Sequence, residues 1–275
     1  MLALVGDSLS GEDREPLSSL VDALLIVVAR AHAQEQYKAL TLSQHKYIHI
    51  VSHDIRTPLT SMRGYAEMLG LRGELNDNQK QAVERIQSGV TQIAELIDNI
   101  QDAGSYDPET GFYVMKRSPV SLVDVAGAIL KRPLPADKAG LTLKLAVSPD
   151  VPIINADPNM IKRAIANLVD NAIKYTPDGG IIEVLGFVRD NSLIVGVRDN
   201  GFGISPENQK TIFDRGSRID RPEHRKIKGS GLGLFIVQSV GRRHGGDAWV
   251  ESQLGMGSTF YFSIPLSGEN LLERD

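Results

Sequence analysis

The chain has 275 residues, 41% of them hydrophobic, with a net charge of −4 and no cysteine. That content can bury two modest cores, gives no argument for a nucleic-acid partner, and excludes a disulfide scaffold or thiol catalysis, which fits a cytoplasmic setting. The most apolar early run, Leu24 to Ala29, falls far short of the ~20 residues a membrane helix needs, and no signal peptide opens the chain.

In chain order, Leu2 to Gly6 reads as a strand, and Ser10-Gly11-Glu12-Asp13 as a helix start running into Leu17, Leu20, Leu24 and Val28. Two readings of residues 1–39 stand side by side. The pattern resembles the end of a small-molecule-sensing domain of the GAF type, and it also suits a coiled-coil leader.

Residues 40–104 read as one domain. Ile48, Val51, Ile55, Leu59, Met62, Ala66 and Leu69 follow at alternating steps of three and four, which is a seam down one side of a helix. After a polar break from Gly70 to Asn78, a second seam runs through Val83, Ile86, Val90, Ile93, Ile97 and Ile100. A lone antiparallel pair would leave half of each stripe in water, so two hairpins should associate as a four-helix bundle in a homodimer.

His53 lies between Val51 and Ile55 and points away from that seam. Thr57, one turn on, shares its face, where a hydroxyl could hold a water against a phosphate on the imidazole. Pro58 has no N–H and clashes with the carbonyl of Asp54, so the helix should bend just past the histidine. Asp54 is adjacent to His53, and its reach to the ring depends on rotamer or on the kink. A competing reading makes His45, His49 and His53 a metal stripe at helical spacing, without a carboxylate or cysteine to complete it.

Gly104 to Pro119, with Gly, Pro and Asp in place of periodicity, reads as an interdomain hinge, with the linker at 105–119. A catalytic domain follows at 120–268 and a tail at 269–275. Asn167 and Asn171 stand one turn apart on a helix, with Lys174 three further on and Tyr175 beside it. Paired amide carbonyls beside a lysine suit magnesium held with a triphosphate. Asp199-Asn200-Gly201-Phe202-Gly203 follows the alternating strand Leu193 to Val197. A buried carboxylate can accept from the exocyclic amine of adenine, where guanine would present a carbonyl. Gly229-Ser230-Gly231-Leu232-Gly233-Leu234 opens a helix from Phe235 to Gly241, an anion site at a helix start. Its spacing is neither that of a Walker loop nor that of a dinucleotide fingerprint, and no serine or tyrosine kinase signature is present. Between the last two motifs, Phe213 to Lys228 carries Arg215, Arg218, Arg221, Arg225, Lys226 and Lys228, a basic loop suited to a lid over phosphates.

His-Asp-x-x-Thr-Pro, the asparagine helix, Asp-x-Gly-x-Gly, Phe213, Gly-x-Gly-x-Gly and Gly255-Met256-Gly257-Ser258-Thr259-Phe260 together resemble the successive boxes of a sensor histidine kinase of two-component signalling. The resemblance covers about Leu40 to Leu266 and implies an α+β chain: a dimerisation and phosphoacceptor hairpin, then an α/β sandwich ATP-binding domain of the gyrase and chaperone-ATPase kind. It implies His53 as phosphoacceptor, Asp54 as base and orienting acid, Thr57 as holder of a phosphatase water, and Asn171 with Asn167 as ligands of Mg2+. It further implies Lys174 and Arg218 as phosphate contacts and Asp199 as adenine reader. Tyr175, Gly201, Gly203, Phe213, Gly229, Ser230, Gly231, Leu232, Gly233, Leu234 and Thr259 complete the expected ATP site. One departure is Gly216, where the family usually has a second aromatic after Phe213. The implied activity is autophosphorylation at His53 and transfer to an aspartate on a response regulator receiver domain. Two alternatives are a protein acting mainly as regulator phosphatase through Thr57, and a nucleotide-binding scaffold signalling by dimer geometry alone.

Overall fold

The computed structural model of the chain describes residues 48, 50–70, 75–219 and 229–270, with scattered positions from 25 to 36. It divides into two compact units, 1–47 and 48–275. In the first, the described positions 25, 27–30, 32, 33 and 36 are helical. The expected strand Leu2–Gly6, the helix start at Ser10–Asp13, Leu17, Leu20, Leu24, His45 and His49 lie outside the described residues, as do Arg221, Arg225, Lys226 and Lys228 of the basic loop. Among the described residues no helix is long and apolar enough to cross a membrane.

The second unit opens with a helix α1 over 50–70 and a helix α2, Asp77–Tyr106. Asn76 starts α2 with a reciprocal cap: its Oδ1 accepts the Gln79 N–H at 2.9 Å, and Gln79 Oε1 accepts the Asn76 N–H at 3.0 Å. Leu59 of α1 packs with Val90 and Ile97 of α2 in a small core. Ala66 is also buried, but much of the stripe remains in water, with Met62 53%, Leu69 54%, Ile86 49% and Ile93 46% exposed. Pro58 does not end α1, which stays helical on both sides of it.

The α/β part of the second unit is built from β1 (Ser118–Val120), α3 (Leu122–Leu130), β2 (Thr142–Val147), β3 (Ile154–Ala156) and α4 (Pro158–Tyr175). It continues through β4 (Ile181–Arg189), β5 (Ser192–Asp199), α5 (Pro206–Gln209), α6 (Gly233–Arg243), β6 (Ala248–Gln253) and β7 (Gly257–Pro265). One five-stranded sheet has the order β2-β4-β5-β7-β6, antiparallel except for the β2–β4 pair, and β1 pairs with β3. The register sets Leu193 beside Ile264, Val195 beside Phe262 and Val197 beside Phe260. With Ile165, Leu168, Val237 and Val240 from α4 and α6, these residues form the main core. Strand parity thus puts the helices on one face of the sheet, which is the expected α+β architecture.

Three boundaries differ from the sequence reading. α6 begins at Gly233 rather than Phe235 and runs to Arg243, because the helix starts as soon as the glycine turn ends. α2 runs to Tyr106, past the expected end at 104, because Ala103 and Tyr106 bury in the core of the α/β part. Pro119 belongs to β1 rather than to a linker, on a strand whose one neighbour among the described residues is β3, an edge position that tolerates its missing N–H.

Candidate nucleotide and phosphoacceptor site

Asp157 fixes the asparagine helix. Its Oδ1 accepts the N–H groups of Asn159 at 3.0 Å and Met160 at 3.1 Å, and Pro158 fills the first helical position. The apolar stripe of α4, from Met160 to Ala172, faces the sheet and leaves Asn167, Asn171 and Lys174 on the wall of a cavity of about 450 Å³. That volume lies in the range of small-molecule sites. Asn167 is nearly buried, and among the described residues its Nδ2 has no hydrogen-bond partner.

Asp199, Tyr175, Gly203, Arg218, Gly229, Ser230, Gly231, Gly233 and Leu234 line the same cavity. Asp199 ends β5 only 7% exposed, and its Oδ1 accepts the Gly201 N–H at 2.8 Å. Burial pushes its carboxyl above the usual range, opposed by the backbone N–H groups of Gly201 and Ser258. Burial likewise raises the Tyr175 hydroxyl, and the nearby Arg218 charge opposes it. Gly203 sits at φ +67°, where a Cβ would meet the Gln253 carbonyl oxygen at 2.0 Å. Gly231, at φ +70°, lies so close to Gly216 that a Cβ would come within 2.8 Å of that backbone. Gly216 itself has φ +79° and donates its N–H to the Gly231 carbonyl at 3.1 Å. The departure from an aromatic at Gly216 therefore sits where the basic loop meets the glycine turn. Among the described residues no side chain caps the start of α6, and Gly233 and Leu234 there line the cavity, so a positive helix end is turned toward any anion inside it.

Four expected residues are not on that wall. Thr259 lies on the opposite face of the sheet, and its neighbour Ser258 lines the cavity instead. The parity of Phe260, Phe262 and Ile264 carries that signal in the sequence. Phe213, partly buried, packs edge-on against Phe260 at 6.3 Å and so against the core rather than on the wall. Leu232 is likewise partly buried and packs against the core. Gly201 is buried in the turn that holds Asp199. Sequence reasoning missed the contribution of α2, whose Gln92, Glu95 and Asn99 reach the cavity. Their i, i+3, i+7 spacing is a polar stripe that a helical count reveals. It also missed the Arg132–Asp170 ion pair at 2.9 Å, both members of which line the cavity.

His53 stands apart from the wall, on an exposed face of α1. Its Nδ1 lies 3.3 Å from Asp54 Oδ1, so the adjacent acid does reach the ring. Thr57 Oγ1 donates to the carbonyl of His53 at 3.4 Å, and Arg56 spans to α2, donating to Asp98 Oδ1 and Gln101 Oε1 at 2.8 Å each. Asp98 also lines the cavity, so the Arg56 contact brings α1 to its rim. Among the described residues no three His, Cys, Asp or Glu side chains converge as a metal site.

Residues 156–268 match the model of histidine kinase-, DNA gyrase B- and HSP90-like ATPases, and residues 43–109 that of the His Kinase A phospho-acceptor domain. Histidine protein kinase DivJ of Caulobacter vibrioides is 30% identical over 244 residues, covering 86% of this chain and 40% of that protein. Sensor histidine kinase WalK of Bacillus subtilis is 29% identical over 258 residues, covering 90% and 40% respectively. The chain thus spans about two-fifths of the length of these two relatives. The crystal structure of full-length ShkA in complex with AMPPNP shares the fold, with a TM-score of 0.65 at 24% identity over 80% of this chain and 45% of that one. A phospho-acceptor hairpin running directly into a gyrase-type ATPase domain, matched in both parts and in that order, makes this chain a member of the sensor histidine kinases of two-component signalling.

Proposed function

We propose that the chain moves the γ-phosphoryl group of ATP onto Nε2 of His53 and passes it to an aspartate on a response regulator receiver domain. The observation that carries this reading is the Asp54 contact at Nδ1. A carboxylate there holds the imidazole proton on Nδ1, which leaves the Nε2 lone pair free on an exposed ring. Nε2 forms the new bond to phosphorus as the bond to the bridging oxygen breaks and ADP leaves. The ring, now substituted at Nε2 and protonated at Nδ1, carries a positive charge that Asp54 stabilises.

The cavity contributes positioning and charge. Asp199 selects adenine, the start of α6 faces the phosphates, and Lys174 and Arg218 offset their charge. Asn167 and Asn171 fit a hard divalent cation: they offer neutral amide oxygens on the cavity wall, and among the described residues no hydrogen bond to the buried Nδ2 of Asn167 fixes which way that amide turns. Magnesium held there would neutralise charge on the triphosphate.

The apolar stripe left exposed on α1 and α2 supports a homodimer in which two hairpins complete a four-helix bundle. Thr57 supports a second activity, removal of phosphate from the regulator: its hydroxyl hydrogen is directed to the His53 carbonyl, and its lone pairs stay open to a water. The test is a chase. Purified chain is loaded from γ-labelled ATP, nucleotide is removed and a receiver domain is added. Label should leave the chain as it appears on the receiver, and label that never enters the chain refutes the reading.

A further inference from the structure

The segment after α2 has the composition of a hinge, and a free linker of ten or so residues would wander roughly 17 Å end to end. It is not free. Arg243, in the last turn of α6, sends its guanidinium into this segment. Nε donates to the Tyr106 carbonyl at 3.0 Å and Nη1 to the Tyr113 carbonyl at 2.8 Å. Nη2 donates to the carbonyls of Gly111 at 2.9 Å, Asp107 at 3.1 Å and Ser105 at 3.4 Å. Ser105 and Tyr106 close α2, whose final carbonyls have no partner within the helix, and a cation is favoured there by the helix dipole. Gly111 makes the approach possible: a Cβ there would meet the Ser105 oxygen at 2.2 Å and Arg243 Nη2 at 2.8 Å. The far end of the segment is held by Asp157, whose Oδ2 accepts from the Tyr113 hydroxyl at 3.0 Å and the Lys116 N–H at 2.7 Å. Arg163 of α4 adds a hydrogen bond to Asn99 at 3.0 Å and an ion pair with Asp102 at 2.5 Å, close in distance though not aligned as a hydrogen bond.

We propose that Arg243 is a positioning residue: by gathering the carbonyls of residues 105–113 onto one guanidinium, it removes the slack between the phosphoacceptor hairpin and the ATP-binding domain. Its anchors are the two helices whose side chains and start line the nucleotide cavity, so the strap sets where the cavity stands against the hairpin. Arg243 does not line the cavity, and nucleotide affinity should not depend on it. What depends on it is the local concentration of bound nucleotide at the phosphoacceptor. Lysine cannot substitute, because a compact ammonium with three donors cannot reach carbonyls spread around a planar fork.

The inference rests on the kinase reading for its rate measurement, and a second measurement stands without it. Arg243→Lys breaks the strap from the side of α6 and Gly111→Ala from the side of the loop, while Arg243→Ala removes the group altogether. In each variant, ATP affinity by calorimetry should match wild type, amide hydrogen exchange over residues 105–113 should accelerate, and single-turnover labelling at saturating ATP should slow about tenfold or more. Labelling at the wild-type rate despite faster exchange overturns the proposal, and so does a parallel loss of ATP affinity, which would assign Arg243 to the folding of the cavity. The chain has no cysteine, so spin labels can be placed through Thr91→Cys on α2 and Lys144→Cys on β2. Their distance distribution should broaden in the Arg243→Lys and Gly111→Ala backgrounds. If wild type takes up no label, the kinase reading fails, and the distance measurement still decides the strap: an unchanged distribution overturns it.

Discussion

Replacing Asp199 by asparagine tests the adenine reader. Asn keeps the shape but offers one carbonyl oxygen in place of two carboxylate oxygens, and the Gly201 N–H, which lies 2.8 Å from Oδ1, claims it. The remaining position becomes an NH2 group, a donor set against the exocyclic amine of adenine. A buried mismatch of this kind costs about 1–3 kcal/mol, so ATP affinity should fall by roughly 5- to 150-fold. The empty fold should tolerate the change. One lost backbone bond costs about 1 kcal/mol, and removal of a buried charge relieves the desolvation that holds this carboxyl up. The sign of the pH dependence follows from the same shift. The charged form of Asp199 is penalised in the folded chain, so its unfavourable contribution to stability is present above the folded pKa and vanishes as pH falls through it. Adenine recognition needs that charged form, so wild-type affinity should weaken on acidification at a pH above the ordinary carboxylate range, while the asparagine variant should show no such step. Calorimetric titration of ATP across pH, with thermal unfolding of the empty proteins, checks both parts. Unchanged affinity in the variant refutes the placement of the adenine pocket.

Asn171→Ala should lower metal-dependent nucleotide binding and autophosphorylation together in a folded protein; undiminished activity at limiting magnesium contradicts a ligand role. Thr57→Ala should leave labelling of His53 largely intact and slow decay of a phosphorylated receiver domain, and equal decay rates for mutant and wild type refute the role of its hydroxyl. Gly231→Ala places a Cβ 2.8 Å from the backbone of Gly216 at φ +70°, which should cost about 1–2 kcal/mol or more for the left-handed conformation alone and weaken ATP binding. Thermal unfolding with and without ATP reads both effects, and an unchanged midpoint contradicts the tight junction of loop and turn.

Periodicity and turn chemistry made the large parts legible. The steps of three and four through Leu59 and Val90 give the hairpin, and the alternation from Leu193 to Val197 gives a central strand of the sheet. Motif order points to the family. Which face a residue occupies was less legible. Thr259 was expected at the site, yet strand parity with Phe260 and Phe262 carries Ser258 there. Phe213 was expected to line the cavity, yet Phe260 offers an aromatic partner in the core. The linker shows the limit of local reading. Its glycine, proline and aspartate spell a hinge, and the groups that tie it down, Arg243 and Asp157, lie far along the chain, where neither periodicity nor composition connects them to it.

The central claim is that phosphate from ATP comes to rest on the imidazole of His53. The direct measurement is incubation of wild type and His53→Gln with γ-labelled ATP, followed by exposure of the labelled protein to acid and to base. A phosphorus–nitrogen bond predicts label on wild type that is lost in acid and survives base, and none on the variant, which should still bind ATP as wild type does because Asp199 and the glycine turn are untouched. Label that persists on His53→Gln, or label stable in acid, contradicts the account.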